Sequence, residues 1–393
     1  MQESHSSFVI AGPSLCLEHE LTEAGRYGLR CSAGKIQAID RLEILKKQYP
    51  RDEFLEFSPD SVLLPGMIDL HIHGAAGFDV MDATPKALQG ISHALLQEGT
   101  TGFFATTMTA SSDNILQALQ NISTNAIEGP LKEHLLGIHL EGPFLAKSRM
   151  GAQSETHIVS PDLPLFDRFF EVAQGRIKLL TVAVEDPKSL PFIRDLVKRG
   201  VKVSIGHTDA TFQECQAAIE AGASHATHLF NAMRGIHHRE PGCACALLMD
   251  DRVTAELIAD GIHVHPDMLK FAFHVKGLDR IVLVTDAMRA QCLGAGVFDL
   301  GGQAVTVKGK EARLKNGSLA GSVLSMKEAF FNAISFANLT CLEASHLVSR
   351  NPAKVAGCFA ERGSLSLGKR ADFWIVNQKQ AIEATFFSGN RVR

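Results

Sequence analysis

Residues 65–74 read PGMIDLHIHG. An apolar run enters this stretch, and the chain leaves it through two histidines one residue apart, followed by glycine. In a strand, alternate side chains share a face. His71 and His73 therefore point the same way, about 7 Å apart along the strand. Two imidazoles on one face at a strand end are either solvated polar residues or ligands awaiting partners from elsewhere in the chain.

Working outward from this stretch, apolar runs alternate with segments of helical spacing. The runs are VLLPGMIDLHIHG, TTGFFATTM, LLGIHLEG, IKLLTVAVE, VKVSIGH, HATHLF, TAELIADGIHV and RIVLVTDAM. Helical spacing falls at 85–98, 111–127, 187–199 and 211–221, and again at 325–337 and 341–350. The runs are continuous rather than alternating, as in parallel strands buried on both faces. Eight of them with intervening helices predict an α/β fold, a (β/α)8 TIM-like barrel. Residues 1–61 and 356–393 read as short strands and turns, which predicts a small β-sandwich domain formed by both chain ends around a catalytic barrel at 62–355. The segment 296–321 interrupts the pattern with hairpin-like turns, Asn316-Gly317 being a candidate type I′ turn.

Composition narrows the function classes. The chain has 393 residues, 45% hydrophobic and 21% charged, with a net charge of −4. No long basic run suggests a nucleic-acid surface. No run of about 18 apolar residues suggests a membrane span. The start, MQESHSSFVI, lacks the pattern of a secretory signal. Eight scattered cysteines in a chain this long suggest reduced thiols and a cytoplasmic setting. The 17 histidines are the informative excess.

In a parallel barrel the active site lies at the C-terminal ends of the strands. Strand one ends in His71 and His73, strand three in Glu141, strand five in His207, strand six in His228 and strand eight in Asp286. Six residues of metal-ligand or proton-transfer type on one rim point to a metal site. Imidazole with carboxylate suits zinc or iron rather than calcium or magnesium. Glu141, His207 and His228 make a three-ligand set with an open position for water, a catalytic pattern. Adding His71 and His73 gives enough ligands for two ions, so one or two per chain are expected.

The motifs PGMIDLHIHG, LEGPF, GHTDAT, THLFNAM, HHREPG, IADGIHV, VTDAM and LAGSVLSM, with the tail GSLSLGKRADF, resemble those of the N-acetylglucosamine-6-phosphate deacetylase family of the amidohydrolase superfamily. The resemblance covers about residues 62–376. It implies hydrolysis of an amino-sugar 6-phosphate acetamide to acetate and free amine. It implies Glu141, His207 and His228 as metal ligands and Asp286 as the catalytic acid/base. Asn231 with its neighbour Ala232, Arg239 and His263 fall on positions that bind the sugar phosphate, and a homodimer is implied. The retained HxH is similar to that of the binuclear branch. One departure stands out: several members place histidine after GA or GT, where this chain has Gln153. An amide there can donate a hydrogen bond to the substrate but carries no charge. The galactosamine epimer, or another amide such as a cyclic one, is the alternative substrate.

Overall fold

A computed structural model describes residues 7–126 and 129–393. His5 and the expected helix end at Ile127 lie outside the described residues. Among the described residues, eight parallel strands form one sheet in sequential order: β1 (Met67–Ile72), β2 (Thr100–Thr107), β3 (Leu135–Glu141), β4 (Ile177–Val182), β5 (Lys202–Ile205), β6 (His225–Ala226), β7 (Thr254–Leu257) and β8 (Ile281–Leu283). The two edges meet through Asp286 N to His71 O at 2.8 Å and His73 N to Ala287 O at 2.9 Å. The sheet is thus a nearly closed barrel, and its seam lies beside the histidine pair.

Helices pack around it, among them α1 (Pro85–Gln97), α2 (Ser112–Asn125), α3 (Leu163–Val172), α4 (Ser189–Lys198), α5 (Phe212–Glu220), α6 (Gly242–Met249), α7 (Pro266–Lys276) and α8 (Met326–Ala337). Their starts are written locally. Thr211 accepts from Glu214 N while the Glu214 carboxylate accepts from Thr211 N, a capping box that fixes where the loop after β5 ends. No helix among the described residues is long and apolar enough to cross a membrane.

The run 62–74, read as one strand, is two. Val62–Pro65 pairs antiparallel with Phe373–Val376, outside the barrel. Gly66 is the crossing point. A Cβ there would sit 2.0 Å from Thr101 Oγ1, so only glycine lets the chain pass between the two sheets. Val62–Pro65 and Phe373–Val376 belong to a five-stranded sheet that faces a four-stranded sheet of residues 8–56. Phe8, Ile10, Leu29, Leu63, Phe373, Ile375 and Phe386 form the apolar layer between them. A sandwich made from both chain ends therefore flanks the barrel.

After β8 a three-stranded antiparallel sheet, Gly296–Leu300, Gln303–Lys308 and Glu311–Leu314, leans over the barrel mouth. Its last turn is not type I′. Gly317 has φ +87° but Asn316 is not left-handed. Leu314 N donates to Ser318 O and Gly317 N to Leu314 O, both at 2.9 Å. This is a three-residue loop with glycine in the left-handed bulge position.

Candidate active site

The sequence-expected rim residues converge. His71 and His73 stand on and just past β1, Glu141 ends β3, and His207, His228 and Asp286 follow β5, β6 and β8 by two or three residues. The last three share an unusual backbone, with φ of +47°, +28° and +47°. Non-glycine residues enter this region at a cost and concentrate at functional sites. Here each left-handed residue lies two or three positions past its strand, in the turn that brings its side chain to the shared centre.

Glu141 lies at the centre. Its Oε1 is 3.2 Å from both His207 Nε2 and His228 Nε2, which are 3.1 Å from each other. His207 Nδ1 lies 2.8 Å from the Arg149 carbonyl, to which it donates, so its Nε2 carries a lone pair. Lone pairs thus converge where a proton cannot satisfy all of them. Tetrahedral ligands 2.0–2.1 Å from zinc stand about 3.3–3.4 Å apart, close to the observed spacing. A second set lies beside the first. His73 Nε2 is 3.2 Å from Glu141 Oε2 and 3.2 Å from Asp286 Oδ1, and His71 Nε2 is 3.4 Å from Asp286 Oδ1. His71 Nε2 is buried with no hydrogen-bond partner. Glu141–His207–His228 and His71–His73–Asp286 each present three donor atoms mutually close enough to hold an ion.

The electrostatics ask for positive charge. Burial opposes ionisation of Glu141, yet the neighbouring imidazoles hold its carboxyl well below the usual range. Burial alone would lower His73. Its contacts with Asp286 and Glu141 more than reverse that and raise it to about 9. Asp286 is likewise pulled below its ordinary value against its burial, chiefly by His71 and His73.

The centre forms one wall of a cavity of about 330 Å³. Asn231, Ala232, His263, Gln153, Arg149 and Gly321 also line it. His263 is fixed by Asp260, whose Oδ2 is 2.6 Å from Nδ1 and whose Oδ1 accepts the His263 backbone N–H at 2.8 Å. Gln153 is in the cavity but largely engaged. Its Nε2 donates to Glu141 Oε2 at 2.7 Å and its Oε1 accepts from Thr109 N at 2.8 Å. Its main contact is therefore the carboxylate, with one N–H left for a substrate. Arg239 is not brought into the cavity. It is exposed on the loop before α6, with Nη1 2.7 Å from His238 Nε2.

Three buried residues escaped the sequence reading. Asp69, two residues before His71 and on the same face, accepts from Thr285 Oγ1 at 2.5 Å and ties β1 to β8 below Asp286. Burial drives its carboxyl up to about 7. Glu256 of β7 lies under His71, and Asp260 orients His263. A signal was available for the first two: a carboxylate inside an apolar strand run is almost never fully buried unless paired. His139, two before Glu141, points inward beside His71 with Nε2 2.7 Å from Thr181 Oγ1. Burial lowers it to about 3, so it is neutral.

A parallel barrel whose mouth gathers imidazoles and carboxylates into two clusters of three ligand atoms defines a metal-dependent hydrolase of the (β/α)8 class. Residues 62–392 match the amidohydrolase family. The chain is 43% identical to the N-acetylglucosamine-6-phosphate deacetylase of Bacillus subtilis (strain 168), over 98% of this chain and 96% of that one. It is 36% identical to the N-acetylgalactosamine-6-phosphate deacetylase of Escherichia coli O157:H7, over 94% and 96%. A solved mutant of N-acetyl-D-glucosamine-6-phosphate deacetylase from Mycobacterium smegmatis, in complex with N-acetyl-D-glucosamine-6-phosphate, superposes with TM-score 0.90 at 31% identity, covering 98% and 99%. The chain belongs to the amidohydrolase family and, within it, to the N-acetylglucosamine-6-phosphate deacetylases.

Proposed function

We propose that this chain hydrolyses the acetamide of N-acetyl-D-glucosamine 6-phosphate to acetate and D-glucosamine 6-phosphate. Asp286 acts as acid/base, and one or two ions of zinc or iron are held by His71, His73, Glu141, His207 and His228. The observation that carries this reading is the convergence of acceptor atoms from five barrel strands on one wall of the cavity. The galacto epimer has less support, since its relative is the more distant, 36% against 43% identical.

An acetamide is a poor electrophile and water a poor nucleophile. A divalent ion held by His71, His73, Glu141, His207 and His228 would supply what both lack, acidifying water toward a pKa of about 7 and polarising the carbonyl. Asp286 is ionised and meets the cavity with its side chain 13% exposed. Its carboxylate takes the proton of the attacking water as oxygen bonds to the carbonyl carbon. It then delivers that proton to the nitrogen, so that the C–N bond breaks with the amine leaving neutral. Gln153 lines the same cavity, and its second N–H would donate to the developing oxyanion, a weak aid beside the metal. The Ala232 backbone offers a donor to the sugar phosphate, and Asn231 lines the same cavity with its Nδ2 on the His228 and Leu229 carbonyls at 3.3 and 3.4 Å. His263, with Nδ1 occupied by Asp260, offers Nε2. Arg239, on the exposed loop before α6, supplies a planar cation suited to phosphate.

We further infer a homodimer, on the exposed apolar side chains Met268, Phe271 and Val275 along α7 and Met249 at the end of α6. The cytoplasmic setting is inferred from eight cysteines carried as free thiols. Acetate release from both epimers, and from the unphosphorylated sugar, tests the substrate. Protein of verified metal content that releases no acetate from either 6-phosphate would overturn the proposal.

A further inference from the structure

Glu256 is wholly buried in the middle of β7, beneath the catalytic wall, and none of the steps above uses it. Its carboxylate meets three donors. Oε2 accepts from His71 Nδ1 at 3.0 Å and from the backbone N–H of His228 at 3.1 Å. Oε1 accepts from His225 Nε2 at 3.0 Å. Its own carbonyl accepts from Leu229 N at 2.9 Å. A buried carboxylate is tolerated when it is paired in this way. The choice of donors is what carries information.

An ionised carboxylate only accepts, so each imidazole nitrogen facing it carries the hydrogen. For His71 this puts a hydrogen on Nδ1 and leaves Nε2 as the nitrogen whose lone pair a metal would take. That Nε2 faces Asp286 Oδ1 at 3.4 Å and Glu141 Oε1 at 3.5 Å and has no hydrogen-bond partner. His73 and His207 are held differently, each with Nδ1 against a backbone carbonyl, Thr106 O at 3.3 Å and Arg149 O at 2.8 Å. Among the four histidines of the two ligand sets, only His71 has its Nδ1 against a charged group. The same carboxylate holds the backbone of His228, a member of the other ligand trio.

We propose that Glu256 is a positioning residue for the metal centre: it fixes the tautomer and direction of His71, so that Nε2 is available as a ligand, and ties that half of the centre to the His228 turn. The inference rests on the metal reading above. His225, which no ligand set includes, has its role in the same network, since it satisfies the second oxygen and keeps the carboxylate from rotating.

The test is Glu256→Gln, which keeps volume and removes charge. The amide oxygen keeps the place of Oε2, where the His228 N–H also donates, and NH2 turns to His225, so His71 Nδ1 is left donating to a neutral acceptor that holds it less firmly. Wild type and variant are stripped of metal and titrated with cobalt(II) in a metal buffer. Bound ions are counted and the visible cobalt spectrum is recorded. The variant should need roughly ten- to hundredfold more free cobalt to fill the position that includes His71, with an altered spectrum. In a His71→Gln background the same change should shift that titration no further. If Glu256→Gln does not fold, Glu256→Asp, one methylene shorter with the charge kept, should give an intermediate weakening. Cobalt affinity and spectrum equal to wild type in a folded variant would overturn the inference. So would an equal shift in the His71→Gln background. Wild type that binds no cobalt would overturn the metal reading and this inference with it, whereas equal titrations with bound metal overturn this inference alone.

Discussion

Changing His71 to Gln and His73 to Asn together should lower the metal content from about two ions per chain to about one. The structure sets the size of the effect. The trio of Glu141 Oε1, His207 Nε2 and His228 Nε2 keeps its edges of 3.1–3.2 Å, because neither replaced side chain belongs to it. The second set loses both nitrogens that face Asp286 Oδ1 at 3.4 and 3.2 Å, and one carboxylate does not hold an ion alone. The fold should persist. Glu256 loses the His71 donor at 3.0 Å, a hydrogen bond to a charged group worth about 1.5–3 kcal/mol, which the amide introduced by His71→Gln partly restores. Activity should fall without vanishing, by roughly 10²- to 10³-fold, the scale of losing one oxyanion stabiliser. Gln153 compensates weakly, because its amide is already engaged with Glu141 and Thr109. The assay counts metal per chain in both proteins after identical loading, with acetate release followed in parallel. The same stoichiometry in both proteins would refute the reasoning, whether one ion or two. A loss of thermal stability alone would reduce the histidines to packing.

Asp286→Asn should retain metal but lose about 10²- to 10⁴-fold in kcat; turnover near wild type would demote Asp286 to a structural part. Arg239→Ala should cost the 6-phosphorylated sugar about ten- to more than a hundredfold in kcat/KM, from a contact of roughly 1.5–3 kcal/mol, and spare the unphosphorylated one; equal losses on both would remove Arg239 from phosphate recognition. The metal-free protein should respond to pH through His73. Burial pulls its pKa down, but Asp286 and Glu141 raise it to about 9. A raised imidazole stabilises the fold fully below the unfolded value of about 6.5, and this is lost as pH climbs through about 9. The melting temperature of the apo protein should therefore fall between about pH 6.5 and 9. A melting temperature that is flat or rising over that window would contradict the assignment. Metal binding should also release protons, with apparent affinity falling as pH is lowered; pH-independent affinity between about 6 and 8 would exclude histidine ligation.

The barrel and most of its rim were legible in the amino-acid order because they depend on local facts. Continuous apolar runs between helical periods mark buried parallel strands, and the active face of such a barrel is the end where each run stops. His71, His73, Glu141, His207, His228 and Asp286 are each the polar residue at such an end, so their meeting follows from topology. What the tertiary structure decided depends on contacts between distant segments. Gly66 breaks the first run because Thr101 of the neighbouring strand leaves no room for a Cβ. The left-handed steps at His207, His228 and Asp286 have no local marker such as glycine. Gln153 reads as a group aimed at substrate, and its amide instead holds Glu141, twelve residues away in the chain but adjacent across the cavity. Arg239 carries the charge for phosphate, and the fold leaves it on an exposed loop. Glu256 is separated from His71 by 185 positions, and only barrel closure brings the two within 3.0 Å. Residue types and strand period determined which chemistry this chain carries. Which nitrogen of each histidine is free to use it is set by hydrogen bonds that exist only once strands far apart in sequence lie side by side.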